Sequence, residues 1–324
     1  MPTYKGIRGL TITTRTGDAD PLLEGDIWYN AVTRKIRGAK TPAGAWSSGT
    51  DLNTARMFLG GVGPATNNLA FSGKPDGTAT WLTVTEAYDG SAWTEVADMS
   101  AGQANFMCGG SAESAIVAGG EPGRLANSEE WGGSSWTAGG DLNTARDTLN
   151  GFGASNTAAL ACGGQVPAVQ VITETYDGSS WTEVGDLNVA KNKQMGLGTT
   201  AAGLIVGGSN GPSAAVEEWN GTGWTEVGDI NTAREGGANM CYGTTTAGMI
   251  AGGNPNGSRT EQYNGTSWTE VADNSAHGAP GGEPGAGCGG GGTQTSAILS
   301  GGDPYIATVE EWDESLGAVT FTSS

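Results

Sequence analysis

The sequence predicts an all-β fold, a propeller of six four-stranded sheets preceded by a short β-hairpin arm. Three observations predict it. A unit recurs six times between residue 50 and the C-terminus, and a period of about 45 residues built of strands and glycines marks a repeat architecture. Tight-turn pairs of the Asn-Gly and Asp-Gly type fall at one fixed place in most units, between short alternating segments, which is a strong hairpin signal. Glycine makes up 58 of 324 residues without a collagen period and stands beside aromatics, so it reads as turns and close backbone approaches.

Each unit opens with a glycine-rich strand and continues with an apolar strand that ends in Gly-Gly, as in Ile116 to Gly120 and Leu204 to Gly208, or in the first unit, Leu69 to Gly73, in Ser72-Gly73. A Glu follows two residues ahead of an aromatic: Glu86 with Tyr88, Glu129 with Trp131, Glu174 with Tyr176, Glu217 with Trp219, Glu261 with Tyr263 and Glu310 with Trp312. Five units close on a second tryptophan, Trp93, Trp136, Trp181, Trp224 and Trp268. The turns between the two aromatics are Asp89-Gly90, Gly132-Gly133, Asp177-Gly178, Asn220-Gly221 and Asn264-Gly265, pairs that tolerate the positive φ of hairpin turns. Residues 188–229 show the whole pattern, with strands expected at Gln194–Gly198, Gly203–Val206, Ala215–Trp219 and Trp224–Val227. Agreement of turn chemistry with strand pattern in successive units outweighs any single propensity.

Only 36% of residues are apolar, which suits small sheets that bury their faces against two neighbours. The net charge of −19 argues against nucleic-acid binding by the main body, since phosphate neutralisation needs a basic face. Residues 1–45 hold seven basic and four acidic side chains, about +3, so the remainder carries about −22; arm and body are suited to different surroundings. Cys108, Cys162, Cys241 and Cys288 lie in Gly-flanked apolar strands without CxxC spacing and are expected as buried free thiols. No apolar export segment or membrane-length run is present in the sequence, so synthesis in a cytoplasm without membrane insertion is expected.

An apolar strand ending in Gly-Gly, then Glu-x-Tyr, then Trp is similar to the kelch repeat of β-propellers, and the likeness spans residues 50–324. The resemblance implies that the Gly-Gly strand lies inside each blade and that the two aromatics pack between blades. The recurring Glu residues are read as anchors for a neighbouring backbone or Arg. Arg56, Arg146 and Arg234 stand in near-identical linkers, and Gln103, Lys191 and Gly278 stand at the same place in the others. This gives a threefold alternation that duplication history explains as well as a threefold partner would.

Trp46 has the register of a fourth strand without a Gly-Gly strand before it, whereas the position after Trp312 that should hold Trp is Gly317. The strand around Trp46 is therefore expected to complete the last blade and close the ring, with Ala318–Thr322 as the alternative. The domain division expected is an arm over 1–45 and a propeller over 46–324.

The arm contains Glu24-Gly25-Asp26-Ile27-Trp28-Tyr29-Asn30, a turn, then Arg34-Lys35-Ile36-Arg37. It resembles a Gly-Asp-x-Trp-Tyr-Asn element of tail-fibre and other virion proteins of tailed bacteriophages. The resemblance implies attachment to a particle through Asp26, Ile27, Trp28, Tyr29, Arg34 and Arg37. Gly6 to Arg15 alternates apolar and polar residues, which suits strand addition to a partner.

The function expected is that of a multicopy virion structural protein, a tail fibre or spike whose arm binds other virion proteins and whose loops meet a host-surface glycan or protein. Lys74–Trp81, Glu121–Asn127 and Asn254–Ser258 differ between otherwise uniform units, and Trp81 is the candidate host contact. A capsid decoration or tail adaptor is the alternative; a cellular kelch adaptor is weaker for want of a companion domain. An enzyme is not expected. A copper site needs several His and Tyr ligands, and His277 is the single histidine; a Ser/His/Asp triad would rest on that one loop histidine. A glycan-acting enzyme with paired carboxylates stays open among 34 acids. No catalytic residue, metal or cofactor is assigned.

Overall fold

A computed structural model describes residues 12–21, 23, 26–40, 43–76, 80–208, 211–236, 241–255, 257–274, 287–314 and 317–320. Among these the protein is all-β: seven four-stranded sheets and one two-stranded sheet. Its compact units are 45–313 and, separately, 1–44 with 314–324.

The larger unit contains six four-stranded antiparallel sheets in a propeller-like arrangement, with the two-stranded sheet, Gln165–Val166 and Ala168–Val169, in a loop of the third. Sheet 1 is Gly60–Val62, Asn68–Phe71, Thr85–Tyr88 and Trp93–Glu95; sheet 2 is Met107–Ser111, Ser114–Ala118, Ser128–Trp131 and Trp136–Ala138. Sheet 3 is Asn150–Ser155, Ala158–Cys162, Thr173–Tyr176 and Trp181–Glu183; sheet 4 is Met195–Thr199, Ala202–Val206, Val216–Trp219 and Trp224–Val227. Sheet 5 is Cys241–Thr244, Ala247–Ala251, Thr260–Tyr263 and Trp268–Glu270. Sheet 6 takes Gly289–Gly292, Ser296–Ser300 and Val309–Asp313 from the C-terminal part of the chain and Ala45–Ser48 from the N-terminal part. In that sheet Trp46 lies directly opposite Trp312, as Trp93 lies opposite Tyr88 in sheet 1.

The second strand of each sheet is buried along almost its whole length, and it reads as a continuous apolar run because it is covered on both faces. The first strands of successive sheets contact one another, and those of sheets 6 and 1 also touch. Glycine permits this approach. A Cβ at Gly109 would come within 2.6 Å of the Gly153 amide nitrogen, and one at Gly61 or Gly291 would collide with the backbone of Gly290 or Gly63.

In the smaller unit Ile27–Asn30 pairs antiparallel with Lys35–Lys40. The turn is held by the Asn30 side-chain oxygen, which accepts from the Val32 and Thr33 amides, a self-bonding turn typical of Asn. Thr13–Arg15 adds to Ile27–Asn30 in parallel, so this part of the alternating N-terminal stretch pairs within its own sheet; residues 1–11 lie outside the described ones. The C-terminal strand Gly317–Thr320, grouped with the propeller in the sequence reading, pairs with Lys35–Lys40 instead. Trp28 is 1% exposed and packs with Ala19 and Ala39.

Candidate functional site

The recurring Glu side chains are buried and clamp the linker that enters their own sheet. Glu86 accepts from the Asn53 amide at 2.7 Å, the Asn53 side chain at 2.9 Å and the Thr54 amide at 3.3 Å. Asn143 binds Glu174, Asn188 binds Glu217 and Asn231 binds Glu261 in the same way. In sheet 2 the Ser100 and Ala101 amides take over on Glu129. Glu310 is likewise buried.

Sheets 1, 3 and 5 add a cation. Arg56 reaches Glu86 at 2.8 Å with both side chains fully buried, and Arg146–Glu174 and Arg234–Glu261 repeat the pair. Burial lowers Arg56 to about 10 against the opposing pull of Glu86, and it lowers Arg234 likewise. Sheets 2 and 4 carry buried Gln103 and Lys191 at this place; Gly278, like His277, lies outside the described residues. Lys191 donates to the Ala215 carbonyl at 3.2 Å and the Gly207 carbonyl at 3.4 Å, while Oε1 of Glu217 has no hydrogen-bond partner. Burial lowers the Lys191 pKa.

The alternation extends to the seams between sheets. Across the seams that follow sheets 1, 3 and 5, an indole N–H donates backwards to a threonine: Trp136 to Thr85 at 2.9 Å, Trp224 to Thr173 at 3.0 Å and Trp46 to Thr260 at 3.0 Å. Across the other seams a tyrosine reaches back to a carboxylate: Tyr88 donates to Glu311 at 2.6 Å, Tyr176 donates to Glu130, and the charge of Glu218 acts on Tyr263. Burial, then the bond to Glu311, pushes Tyr88 up to about 12, and the corresponding causes raise Tyr176. A signal for this stood in the sequence, since Thr-Glu-x-Tyr alternates with x-Glu-Glu-Trp. The two aromatics of a sheet also face each other, with centroids 4.9 Å apart for Tyr88 and Trp93, 5.5 Å for Trp131 and Trp136 and 5.6 Å for Trp312 and Trp46. Tyr176 with Trp181, Trp219 with Trp224 and Tyr263 with Trp268 form the other three pairs.

These residues hold the sheets together. The four cysteines are free and buried, and burial pushes the Cys108 and Cys162 thiols up to about 12. Such thiols are inert at neutral pH.

The loops between second and third strands run from thirteen residues (72–84) to eight (301–308) on sheets of nearly constant length. Trp81 is half-buried under the Lys74 ammonium, 5.2 Å from its ring centre, and Lys74 also pairs with Glu121 at 2.9 Å. In the arm, Trp28 belongs to the core, Arg37 pairs with Asp18 at 3.1 Å and Asp26 accepts from the Leu23 amide. Arg34 is exposed in a left-handed turn position with φ 56°, and Tyr29 is half-buried. Ile12, Leu23, Ile27, Val32 and Ile36 are each at least 40% exposed there. Ile12, Ile27 and Ile36 share one face by register with Tyr29.

No protein-family model matches the sequence, and no curated protein matches it.

Proposed function

We propose that the six sheets form a closed, kelch-type six-bladed propeller, with Ala45–Ser48 as the closing strand, that presents recognition loops on a virion appendage of a tailed bacteriophage. The observation that carries the proposal is the contrast between uniform sheets and unlike loops, joined to a separate arm bearing Gly25-Asp26-Ile27-Trp28-Tyr29-Asn30. Buried clamps repeated sheet after sheet make a rigid frame, and rigid frames free their loops to vary. The arm supplies the attachment surface through exposed Ile12, Ile27 and Ile36 and exposed Arg34. Its positive charge complements an acidic neighbour. The partners are then other virion proteins on one side and a host-surface glycan or protein on the other, with the protein located on the particle in many copies.

Immunogold labelling of purified particles tests this. Labelling at the tail tip, with adsorption lost when antibody covers the loops, is the expected result. Labelling over the capsid shell with adsorption intact replaces it with a decoration role, and particles lacking the protein overturn the phage assignment altogether.

A further inference from the structure

Sheets 1 to 5 join their third and fourth strands through the same four-residue turn, closed by a bond from the first amide to the fourth carbonyl, as from Asn220 to Gly223 and from Asn264 to Ser267 at 3.2 Å. Sheets 1 and 3 open this turn with aspartate, sheets 4 and 5 with asparagine. The side-chain oxygen has the same partners in both. Oδ1 of Asp177 accepts from the Ser179 amide at 2.9 Å, the Ser179 hydroxyl at 2.8 Å and the Ser180 amide at 2.9 Å. Oδ1 of Asn220 accepts from the Thr222 amide at 3.0 Å, the Thr222 hydroxyl at 2.9 Å and the Gly223 amide at 3.1 Å. Asp89 repeats the set with Ser91 and Ala92, and Asn264 keeps the two amide donors, from Thr266 and Ser267. Such donors favour a charged oxygen: the Ser91 hydroxyl and the Ser180 amide are the chief causes that hold the carboxyls of Asp89 and Asp177 below the ordinary aspartate value.

Each of these asparagines is followed by glycine, and the pair stands exposed at the tip of its hairpin. Gly221 and Gly265 have φ of 93° and 89°, and a residue without Cβ leaves its amide nitrogen open to the preceding side chain. Among the described residues neither glycine amide makes a hydrogen bond, and neither does the side-chain nitrogen of Asn220 or Asn264. The glycine nitrogen is therefore free to attack, and the side-chain nitrogen is free to leave. The donors around Oδ1 converge on the oxygen that gains negative charge when Cγ becomes tetrahedral, the arrangement that stabilises an oxyanion. Asn150-Gly151 is the counter-case. Asn150 is 1% exposed, and the Gly151 amide donates to Oδ1 of Asn150 itself at 2.7 Å. Asn210 and Asn256, which also precede glycine, lie outside the described residues.

We propose that Asn220 and Asn264 are self-modifying sites, whose turns convert asparagine to aspartate with water as the co-reactant. The glycine nitrogen attacks Cγ, its proton passes to the departing nitrogen, the Cγ–Nδ2 bond breaks, and ammonia leaves a cyclic imide. Water then adds to Cγ, the bond from Cγ to the glycine nitrogen breaks, and a proton returns to that nitrogen. Aspartate results on an unaltered main chain. Opening of the imide at the main-chain carbonyl gives isoaspartate instead, but the donors sit on the Cγ oxygen and favour the first route. The product already fits, because sheets 1 and 3 are built with it. Sheets 4 and 5 thereby acquire the carboxylate turns of sheets 1 and 3, with one negative charge added at each site. The inference rests on the turns alone and not on the virion assignment.

The test incubates the purified full chain in mildly alkaline buffer made with heavy-oxygen water, once folded and once unfolded in guanidinium. Peptide mass mapping locates each uptake of label, and fragment ions separate aspartate from isoaspartate. In the folded chain Asn220 and Asn264 are expected to convert at least as fast as in the unfolded chain, with aspartate as the main product, whereas Asn150 converts only when unfolded. Asn220 leads Asn264. Thr222→Val removes the hydroxyl donor and keeps both amides, and it slows Asn220 by about 2- to 10-fold, the rate equivalent of one hydrogen bond, with Asn264 unchanged. The double variant Asn220→Asp with Asn264→Asp melts with the parent. No conversion in the folded chain, conversion slower there than in the unfolded chain, isoaspartate as the main product, an unchanged rate in Thr222→Val, or a lowered melting temperature of the aspartate variant overturns the proposal. Because no particle enters this experiment, its failure leaves the virion assignment standing.

Discussion

Sheets 1, 3 and 5 and sheets 2, 4 and 6 have the same strands and the same buried Glu, yet they are held differently. The first set pairs its carboxylate directly with a buried arginine, whereas sheet 2 holds Glu129 through backbone amides and sheet 4 holds Glu217 through the Asn188 amides, with Lys191 acting on it by charge and not by a direct bond. The seams alternate in step, Trp to Thr on one side and Tyr to Glu on the other. A carboxylate with amide donors at the linker is therefore sufficient to anchor a sheet, and arginine is an addition on every second one. The repeating unit of the architecture is a pair of sheets, 88 to 90 residues by the spacing of Arg56, Arg146 and Arg234.

The largest expected effect comes from breaking the stronger anchor. Arg56→Ala, Arg146→Ala and Arg234→Ala each leave a fully buried carboxylate without its counter-charge, for a loss of about 3–5 kcal/mol in guanidinium unfolding. Gln103→Ala, at the equivalent place in sheet 2, is expected to cost about 1 kcal/mol or less, since neither amide atom of Gln103 makes a hydrogen bond. Equal losses at all four positions would remove the distinction between the two sets.

Next in size is Trp46→Ala. Trp46 supplies to sheet 6 what the chain supplies locally to the other five, a tryptophan opposite the first aromatic. Removing a large aromatic costs about 3 kcal/mol, and a half-buried ring belongs at the lower end of that range. Limited proteolysis should then cut residues 43–59 faster than in the parent. Unchanged protection there would mean that Ala45–Ser48 is not what holds that end of the unit.

Much of this was legible in the sequence. The Glu, aromatic and Trp positions sit at fixed distances, and hairpins convert fixed distance into fixed register. The pairing of Trp46 with sheet 6 was readable because Gly317 stands where a tryptophan was due. The seams were harder. Thr85 and Glu130 meet partners on different sheets, and reading each unit against the others hides what differs between neighbours. The contact of successive first strands was hidden as well, since glycine says only that something approaches closely. The pairing of Gly317–Thr320 with Lys35–Lys40 was also hidden, because a short alternating strand fits any open edge.

A smaller effect sharpens the seam contrast. Tyr176→Phe deletes a hydroxyl bonded to a carboxylate, a loss of about 1.5–3 kcal/mol; Thr85→Val removes a neutral acceptor from Trp136, a loss of about 1 kcal/mol. The two seams also differ in pH response. Tyr88 is held protonated up to about 12 in the folded protein, above the ordinary tyrosine value near 10. The folded state therefore keeps a proton that the unfolded state gives up. Its contribution is complete below pH 10 and is lost as pH rises from about 10 to about 12. Thermal melting across that window should show a shallower decline in Tyr88→Phe than in the parent, whereas Thr85→Val should leave the slope untouched.

The smallest predicted effect is a gain. Lys191 occupies in sheet 4 the place that arginine holds in sheets 1, 3 and 5, but its ammonium ends on the Ala215 and Gly207 carbonyls and leaves Oε1 of Glu217 unpaired. A lysine offers one charged nitrogen at the end of its stem; a guanidinium can serve a carbonyl and a carboxylate together, as Arg56 does with the Val84 carbonyl and Glu86. Lys191→Arg is therefore expected to stabilise the protein by about 0.5–1.5 kcal/mol, the net value of one further hydrogen bond, read as a higher guanidinium midpoint with unchanged slope. A loss instead would show that the pocket around Lys191 has been shaped to its narrower head. The two sets of sheets would then be distinct designs, and the missing arginine would be a consequence of that shape and not its cause.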